Sequence, residues 1–157
     1  MNKISPFLWF DNQAEEAMQF YTSVFKNSKA GEVSRYGEAG PMPAGTVLTA
    51  SFELEGLQFT ALNGGPDFKF NEAVSFYVDC EDQAEVDYYW EQLTADGGEE
   101  SMCGWLKDKF GLSWQIVPRR LMELMGDPDA EKAQRVTEAM LQMQKIDIAG
   151  LEAAYKG

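Results

Sequence analysis

The sequence contains no histidine at all. That removes the commonest general base and the commonest transition-metal ligand. Cysteine is scarce, with only Cys80 and Cys103. Two cysteines exclude a disulfide framework and a zinc motif, and read as buried thiols that behave like small hydrophobes. Basic residues are few: 13 Lys and Arg stand against 26 acids, for a formal net charge of −13. Nucleic-acid phosphates would be repelled, so that partner class is excluded. A cationic small ligand would be attracted, although solubility alone is the plainer use of such a charge. No run approaches the roughly 18 apolar residues of a membrane span. The opening "MNKISPFLWF" has one Lys and no long apolar stretch, so it is not read as a signal peptide. The expectation is a soluble, cytoplasmic protein with no membrane partner.

What is present is a well-supplied core. Of 157 residues, 45% are apolar and 13% aromatic. That is enough for one domain or two intimate halves, and disorder is excluded. The tripeptide Gln13-Ala14-Glu15 returns as Gln83-Ala84-Glu85, each time after an apolar run and before aromatics. "ISPFLWFDNQAE" lies over "VSFYVDCEDQAE" at an offset of 70, and "GLQFTALN" over "GLSWQIVP" at an offset of 55. The shorter offset leaves the loop "GEAGPMPAG" of the first copy without a counterpart. A repeat of about 60 residues is too long and too mixed for a solenoid, and points to two α+β modules.

The periodicities within the copies agree. "ISPFLWF" reads as a strand. Asp11 and Asn12 are placed to cap a helix carrying Ala14, Ala17, Met18, Tyr21, Val24 and Phe25 at helical spacing. "KAGEVSRY", "TVLTASFEL" and "LQFTAL" read as strands, the last two joined by a hairpin turn at Glu55-Gly56. In the second copy "AVSFYVD" is a strand. A helix over residues 81–95 shows Val86, Tyr89, Trp90 and Leu93 on one face, and Asp96-Gly97-Gly98 ends it. "EESMCGWL" reads as extended, "KDKFG" as a turn and "LSWQIV" as a strand. Both copies are β-α-β-β-β. Beyond Pro118, Asp127 is placed as an N-cap with Pro128 in the first helical position. Ala133, Val136, Ala139, Met140 and Met143 form a stripe for packing against the same domain or a dimer mate. "DIAGLEAAYKG" reads as a further short helix.

Two tandem β-α-β-β-β units resemble the vicinal oxygen chelate superfamily of glyoxalases, bleomycin-resistance proteins and ring-cleaving dioxygenases. "PFLWFDNQAEEAMQFYTSVF", "CGWLKDKFGLSWQIVP" and "KIDIAGLEAAY" resemble its PhnB-like branch, which carries a 3-demethylubiquinone 3-methyltransferase label. The resemblance implies an α+β fold: two βαβββ modules forming a cupped mixed sheet, with C-terminal helices. It divides the chain into a domain over 1–118, made of repeats 1–66 and 72–118, and a helical extension over 119–157. It also implies a homodimer. An adenosylmethionine site needs a Gly-rich turn between a first parallel strand and a helix. The Gly pair in "ALNGGPDF" precedes no helix and reads as a loop between the units.

In the superfamily, metal ligands come from the first and last strand of each module. The resemblance places those positions on Ser5, Thr60, Ser75 and Gln115. None is anionic and none is imidazole, and such donors hold divalent transition metals poorly. Either the alignment slips or the metal has been lost; the absence of His favours loss, so no metal and no cofactor is expected. Residues two apart on a strand share a face. The cup face then carries Ser5, Phe7, Trp9, Gln58, Thr60, Ser75, Tyr77, Ser113 and Gln115, and Trp105 joins them. Leu8, Phe10, Phe59, Val74, Phe76, Val78, Trp114 and Ile116 form the opposite face, under the helices. An aromatic wall with a few hydrogen-bonding groups suits a small planar or amphipathic ligand; the plainer reading is that these residues fill the cup or meet a dimer mate. Lys107 and Asp108 read as an acid–base pair or as residues shaping a turn, and Cys103 as a strand thiol near the cup. Three functions remain open: a metal-independent small-molecule-binding protein, an enzyme of the superfamily (isomerase, lyase or dioxygenase type), or an interaction module with a filled cup.

Overall fold

Alternation and helical spacing build the same five-element unit twice. The computed structural model describes residues 2–157; Met1, the first residue of the expected repeat 1–66, lies outside them. The chain divides into two units, one ending at Phe70 and one running Asn71–Gly157.

In the first unit, β1 (Phe7–Phe10), α1 (Ala14–Val24), β2 (Ser28–Arg35), β3 (Val47–Leu54) and β4 (Leu57–Asn63) follow in chain order. The sheet order is β1-β4-β3-β2. The β1–β4 pair is parallel and the others antiparallel. One face buries Leu8, Phe10, Ala50, Phe52, Leu54, Phe59 and Ala61. α1 covers it with Ala14, Ala17, Met18, Tyr21 and Val24. The rings of Phe52 and Phe59 stack at 5.3 Å, with Tyr21 5.9 Å from Phe52. Glu55 and Gly56 both take positive φ, 48° and 86°, as a two-residue hairpin between right-twisted strands requires.

The cap of α1 differs from the sequence expectation. Neither Asp11 nor Asn12 occupies the N-cap position; Gln13 does, and its side chain makes no capping bond. The buried N–H of Ala14 instead donates to Asn63 Oδ1 at 2.8 Å. Asn63 Nδ2 donates to the Val47 carbonyl at 3.1 Å, and Tyr36 Oη donates to the Asn63 carbonyl at 2.5 Å. The end of the last strand thus caps the helix after the first one. A local capping signal cannot reveal such a tertiary cap.

In the second unit, β5 (Ser75–Cys80), α2 (Gln83–Thr94), β6 (Glu99–Glu100), β7 (Trp105–Lys107) and β8 (Ser113–Pro118) repeat the pattern. The sheet order, β5-β8-β7-β6, matches the first. The match extends to register. Phe7 lies opposite Thr60, and Tyr77 lies opposite Gln115. These are the pairs that the offsets of 70 and 55 relate. α2 caps itself: Asp82 Oδ1 accepts from Glu85 N at 2.9 Å, and Glu85 Oε1 accepts from Glu81 N at 3.1 Å. Its buried face is Val86, Tyr89, Trp90 and Leu93.

Three placements depart from the sequence reading. Val74 precedes β5 and is 65% exposed, not buried under a helix. "EESMCGWL" is broken between β6 and β7 by a turn in which Cys103 and Gly104 take φ of 61° and 83°, so Cys103 lies on a turn and not on a strand. Asp127 is not the cap of the next helix. Asp129 is, accepting from Glu131 N and Lys132 N, while Asp127 Oδ2 accepts from Tyr155 Oη at 2.7 Å.

Three helices complete the second unit: α3 (Arg119–Met125), α4 (Ala130–Met140) and α5 (Ile148–Lys156). α3 was not foreseen, because it follows β8 directly with Pro118 at its N-cap position and no side-chain cap. The helices bury Leu121, Leu124, Val136, Ile146 and Leu151 with Val117 of β8, and Met140 and Met143 pack against that cluster. The methionine stripe therefore fills its own unit. Among the described residues no helix is long and apolar enough to cross a membrane.

Candidate functional site

β8 decides which side chains of the second unit remain available. Trp114 and Ile116 are buried beneath α2, with the Phe76 ring 5.6 Å from Trp114. Gln115, between them, must face the other way. Directly opposed residues share a face. Gln115 pairs with Tyr77 on one side and Trp105 on the other. The open face thus carries an aromatic–amide–aromatic row. The neighbouring row is Ser75–Ser113–Lys107–Glu99.

The polar groups of this face are tied together. Gln115 Nε2 donates to Ser75 Oγ at 2.9 Å, and Ser113, only 1% exposed, donates through Oγ to the Asn71 carbonyl at 3.4 Å. Lys107 Nζ lies 3.0 Å from Glu72 Oε1, and this hydrogen bond holds the Glu72 carboxyl below the usual range. Tyr77 stands half exposed; burial, then the Asp79 charge, pushes its hydroxyl pKa up. A hollow of about 340 Å³ opens beside the row, lined by Glu72, Glu99, Glu100, Trp105, Lys107 and Ser113 among others. Of its glutamates, Glu99 shares the open face, Glu72 is paired with Lys107, and Glu100 lies opposite the buried Leu106 with its Oε1 accepting from Trp90 Nε1 at 2.5 Å.

The sequence-derived residues divide between the units. Ser75, Tyr77, Trp105, Ser113 and Gln115 share the open face of the second sheet. Phe7, Trp9, Gln58 and Thr60 lie on β1 and β4 of the first sheet, while Ser5 precedes β1 and is exposed. Trp9 is held by its own loop: Nε1 donates to the Gly65 carbonyl at 2.9 Å, and Phe68 meets the ring edge-on at 4.9 Å. Gly64 must be glycine here, since a Cβ would sit 2.4 Å from the indole. Lys107 and Asp108 do not form an acid–base pair. Asp108 is buried, accepting from Phe110 N, Leu112 N and Trp114 Nε1, while Lys107 turns to Glu72. Sequence reasoning missed Glu72, Glu99 and Glu100, and read Lys107 with Asp108 instead of on this face. Alternation from Trp105 would have found Lys107; the glutamates enter through strand pairing and the approach to β5.

The superfamily resemblance implies a divalent metal, and the residues present do not fit one. Ser75 and Gln115 meet but satisfy each other, and neither carries charge. Among the described residues no group of three or more Cys, Asp and Glu side chains could hold a metal ion.

Two modules of this topology and register give the glyoxalase/bleomycin-resistance fold. Solved structures agree at the level of fold. A glyoxalase/bleomycin resistance protein from Albidiferax ferrireducens T118 superposes with a TM-score of 0.50 at 12% identity, covering 75% of this chain and 99% of that one. The fosfomycin resistance protein FosX of Listeria monocytogenes, solved with Mn(II) and sulfate, gives 0.50 at 18%, covering 72% and 88%. Within the class, the model of the 3-demethylubiquinone-9 3-methyltransferase family matches residues 2–117. The PhnB protein of Bacillus cereus is 40% identical with a TM-score of 0.68, covering 74% of this chain and 99% of that one. The chain belongs to this PhnB-like family. No curated protein matches it. The family's methyltransferase label finds no adenosylmethionine cradle here: the Gly64–Gly65 pair packs under Trp9 and leads to β5, not to a helix.

Proposed function

We propose that this protein binds a small, flat, positively charged molecule without a metal, on the open face of β5, β8 and β7. The observation that carries the reading is the Tyr77–Gln115–Trp105 row beside a hollow edged by Glu72 and Glu99. Aromatic faces attract cations, by about 0.5–2 kcal/mol each depending on desolvation. The carboxylates add long-range attraction, and the net charge of −13 raises the local concentration of cations. The Gln115 amide oxygen and the Ser75 O–H, which their mutual bond does not use, supply the few polar contacts that fix orientation. Metal independence is supported by the neutral donors at the family's ligand positions. Two free cysteines suit a reducing compartment, and the cytoplasm is the proposed one.

A titration tests this directly. Ethidium, a flat aromatic cation, is expected to quench tryptophan fluorescence saturably, whereas anionic anilinonaphthalenesulfonate binds far more weakly. Trp105→Ala should weaken ethidium about tenfold, the equivalent of about 1.4 kcal/mol. Equal binding of both dyes, or indifference to Trp105→Ala, rejects the reading. Elemental analysis showing about one transition-metal ion per chain would reject metal independence.

A further inference from the structure

The second copy of the repeated tripeptide carries a task that the first does not. Gln13 makes no side-chain capping bond. Gln83, at the equivalent start of α2, is bonded on every side. Its Nε2 donates to the Ile146 carbonyl at 3.0 Å and to Asp87 Oδ1 at 3.0 Å, and its Oε1 accepts from Ile148 N at 2.7 Å. Asp87 in turn pairs with Lys145 Nζ at 2.8 Å. Gln83 and Asp87, one helical turn apart, thus grip the segment between α4 and α5 at Lys145, Ile146 and Ile148. Ile146 is fully buried within the extension's core, so the grip is anchored from beneath as well.

That gripped segment holds something in turn. The Met143 carbonyl accepts from Cys103 N at 2.7 Å, and the Gln144 carbonyl accepts from Gly104 N at 2.8 Å. These are the two residues forced to positive φ immediately before Trp105. A Cβ on Gly104 would lie 2.9 Å from the Ile116 carbonyl and 3.2 Å from Ile146 Cγ1, so the turn is pressed between β8 and the extension. Ile116 N also donates to the Gly104 carbonyl at 2.7 Å. The hydrogen-bonded chain runs from Gln83 through Ile146 and its neighbours Met143 and Gln144 to Cys103 and Gly104, and ends at Trp105. The gripped segment lies beyond residue 117, where the family model's match ends.

We infer that the segment 143–148 is a clasp, locked by Gln83, that positions Trp105 for ligand binding. Its functional half rests on the ligand face proposed above; its structural half rests on the Gln83 side-chain bonds and on the backbone bonds of Cys103 and Gly104. Gln83 is a positioning residue and touches no ligand. A left-handed turn at a non-glycine residue is costly, and it persists where the surroundings over-determine it. The clasp is that surrounding structure for Cys103.

The experiment compares full-length wild type, Gln83→Ala and Gln83→Glu. Glutamate keeps the acceptor for Ile148 N but cannot donate to the Ile146 carbonyl. Amide hydrogen exchange should rise at least tenfold at Cys103 and Gly104 in Gln83→Ala, and no less in Gln83→Glu, whose second carboxylate oxygen would face the Ile146 carbonyl and Asp87. Amides of β3 and β4 should be unchanged, which separates clasp release from global destabilisation. Ethidium affinity should fall about fivefold in Gln83→Ala and at least as far in Gln83→Glu. Unchanged exchange at Cys103 and Gly104, or a rise shared equally by β3 and β4, overturns the clasp. Trp105-dependent dye binding in wild type that survives Gln83→Ala undiminished overturns the positioning role. Wild type that shows no Trp105-dependent binding overturns the ligand face itself, a result distinct from the other two.

Discussion

Trp114, Gln115 and Asp108 show how parity and partners assign roles to single residues. Trp114 and Gln115 are neighbours in β8, yet one is buried core and the other belongs to the open face. Asp108 makes the burial of Trp114 possible by accepting its indole N–H at 2.9 Å. Its other oxygen takes Phe110 N at 2.9 Å and Leu112 N at 3.1 Å, closing the turn before β8. Removing the carboxylate leaves three donors short of a partner in a site only 2% exposed. Asp108→Ala is therefore expected to cost about 3–5 kcal/mol, since bonds to a charged group contribute about 1.5–3 kcal/mol each and do not add fully. Urea unfolding measures it, and a loss under 1 kcal/mol would contradict this role. The cysteines divide in the same way. Burial, then the charges of Glu85 and Asp79, pushes the Cys80 thiol up to about 12. A native thiol titration at pH 8 should count one reactive cysteine, the half-buried Cys103, with Cys80 reacting only on unfolding. The raised value stabilises the fold fully below the ordinary thiol range and loses that contribution as pH climbs toward 12. Two thiols reacting at equal rates would rule it out.

At the scale of elements, the legible parts of the fold were those written in local periodicity. Both module helices, most of the strands and the Glu55-Gly56 turn followed from spacing, and the offsets of 70 and 55 carry the β1–β4 pairs of one sheet onto the β5–β8 pairs of the other. What escaped was set by partners distant in sequence. The cap of α1 comes from Asn63, and the cap residue of α4 moved from Asp127 to Asp129 because Tyr155 of α5 claims Asp127. α3 escaped because seven residues after a strand carry too little periodicity to announce a helix. The candidate site shows the same division. Ser75 and Gln115 follow from the family resemblance and Tyr77 from parity, while Glu72 joins only through its ion pair with Lys107. The tertiary cap has a measurable consequence. Asn63→Ala orphans the Ala14 N–H and removes the bond to the Val47 carbonyl, at an expected cost of about 2–3 kcal/mol. Asn12→Ala, at a position the sequence suggested as a cap, should cost under about 0.5 kcal/mol. Comparable losses in the two variants by thermal unfolding would contradict the cap assignment.

For the whole molecule, the open question is what covers the apolar surface that the units leave exposed. The methionine stripe does not supply a dimer face, since Met140 and Met143 pack within the second unit. Other residues do remain outside. Ile4 and Phe68 are largely exposed, and Phe7 is 62% exposed on β1, an outer strand of its sheet. An apolar aromatic on an outer strand is the kind of feature that proteins cover by association. We propose a homodimer with two-fold symmetry in which each chain's Phe7 is buried by the other, since an isologous contact uses the same patch twice. Sedimentation equilibrium at high micromolar concentration should give about twice the 17.6 kDa of one chain. Phe7→Glu would place a carboxylate in that contact and should shift the average mass toward the monomer. Its own unit should stay folded, because Phe7 contributes nothing to the face beneath α1. A wild-type protein that sediments at 17.6 kDa throughout would refute the dimer. A Phe7→Glu variant that remains fully dimeric would refute this surface as its basis.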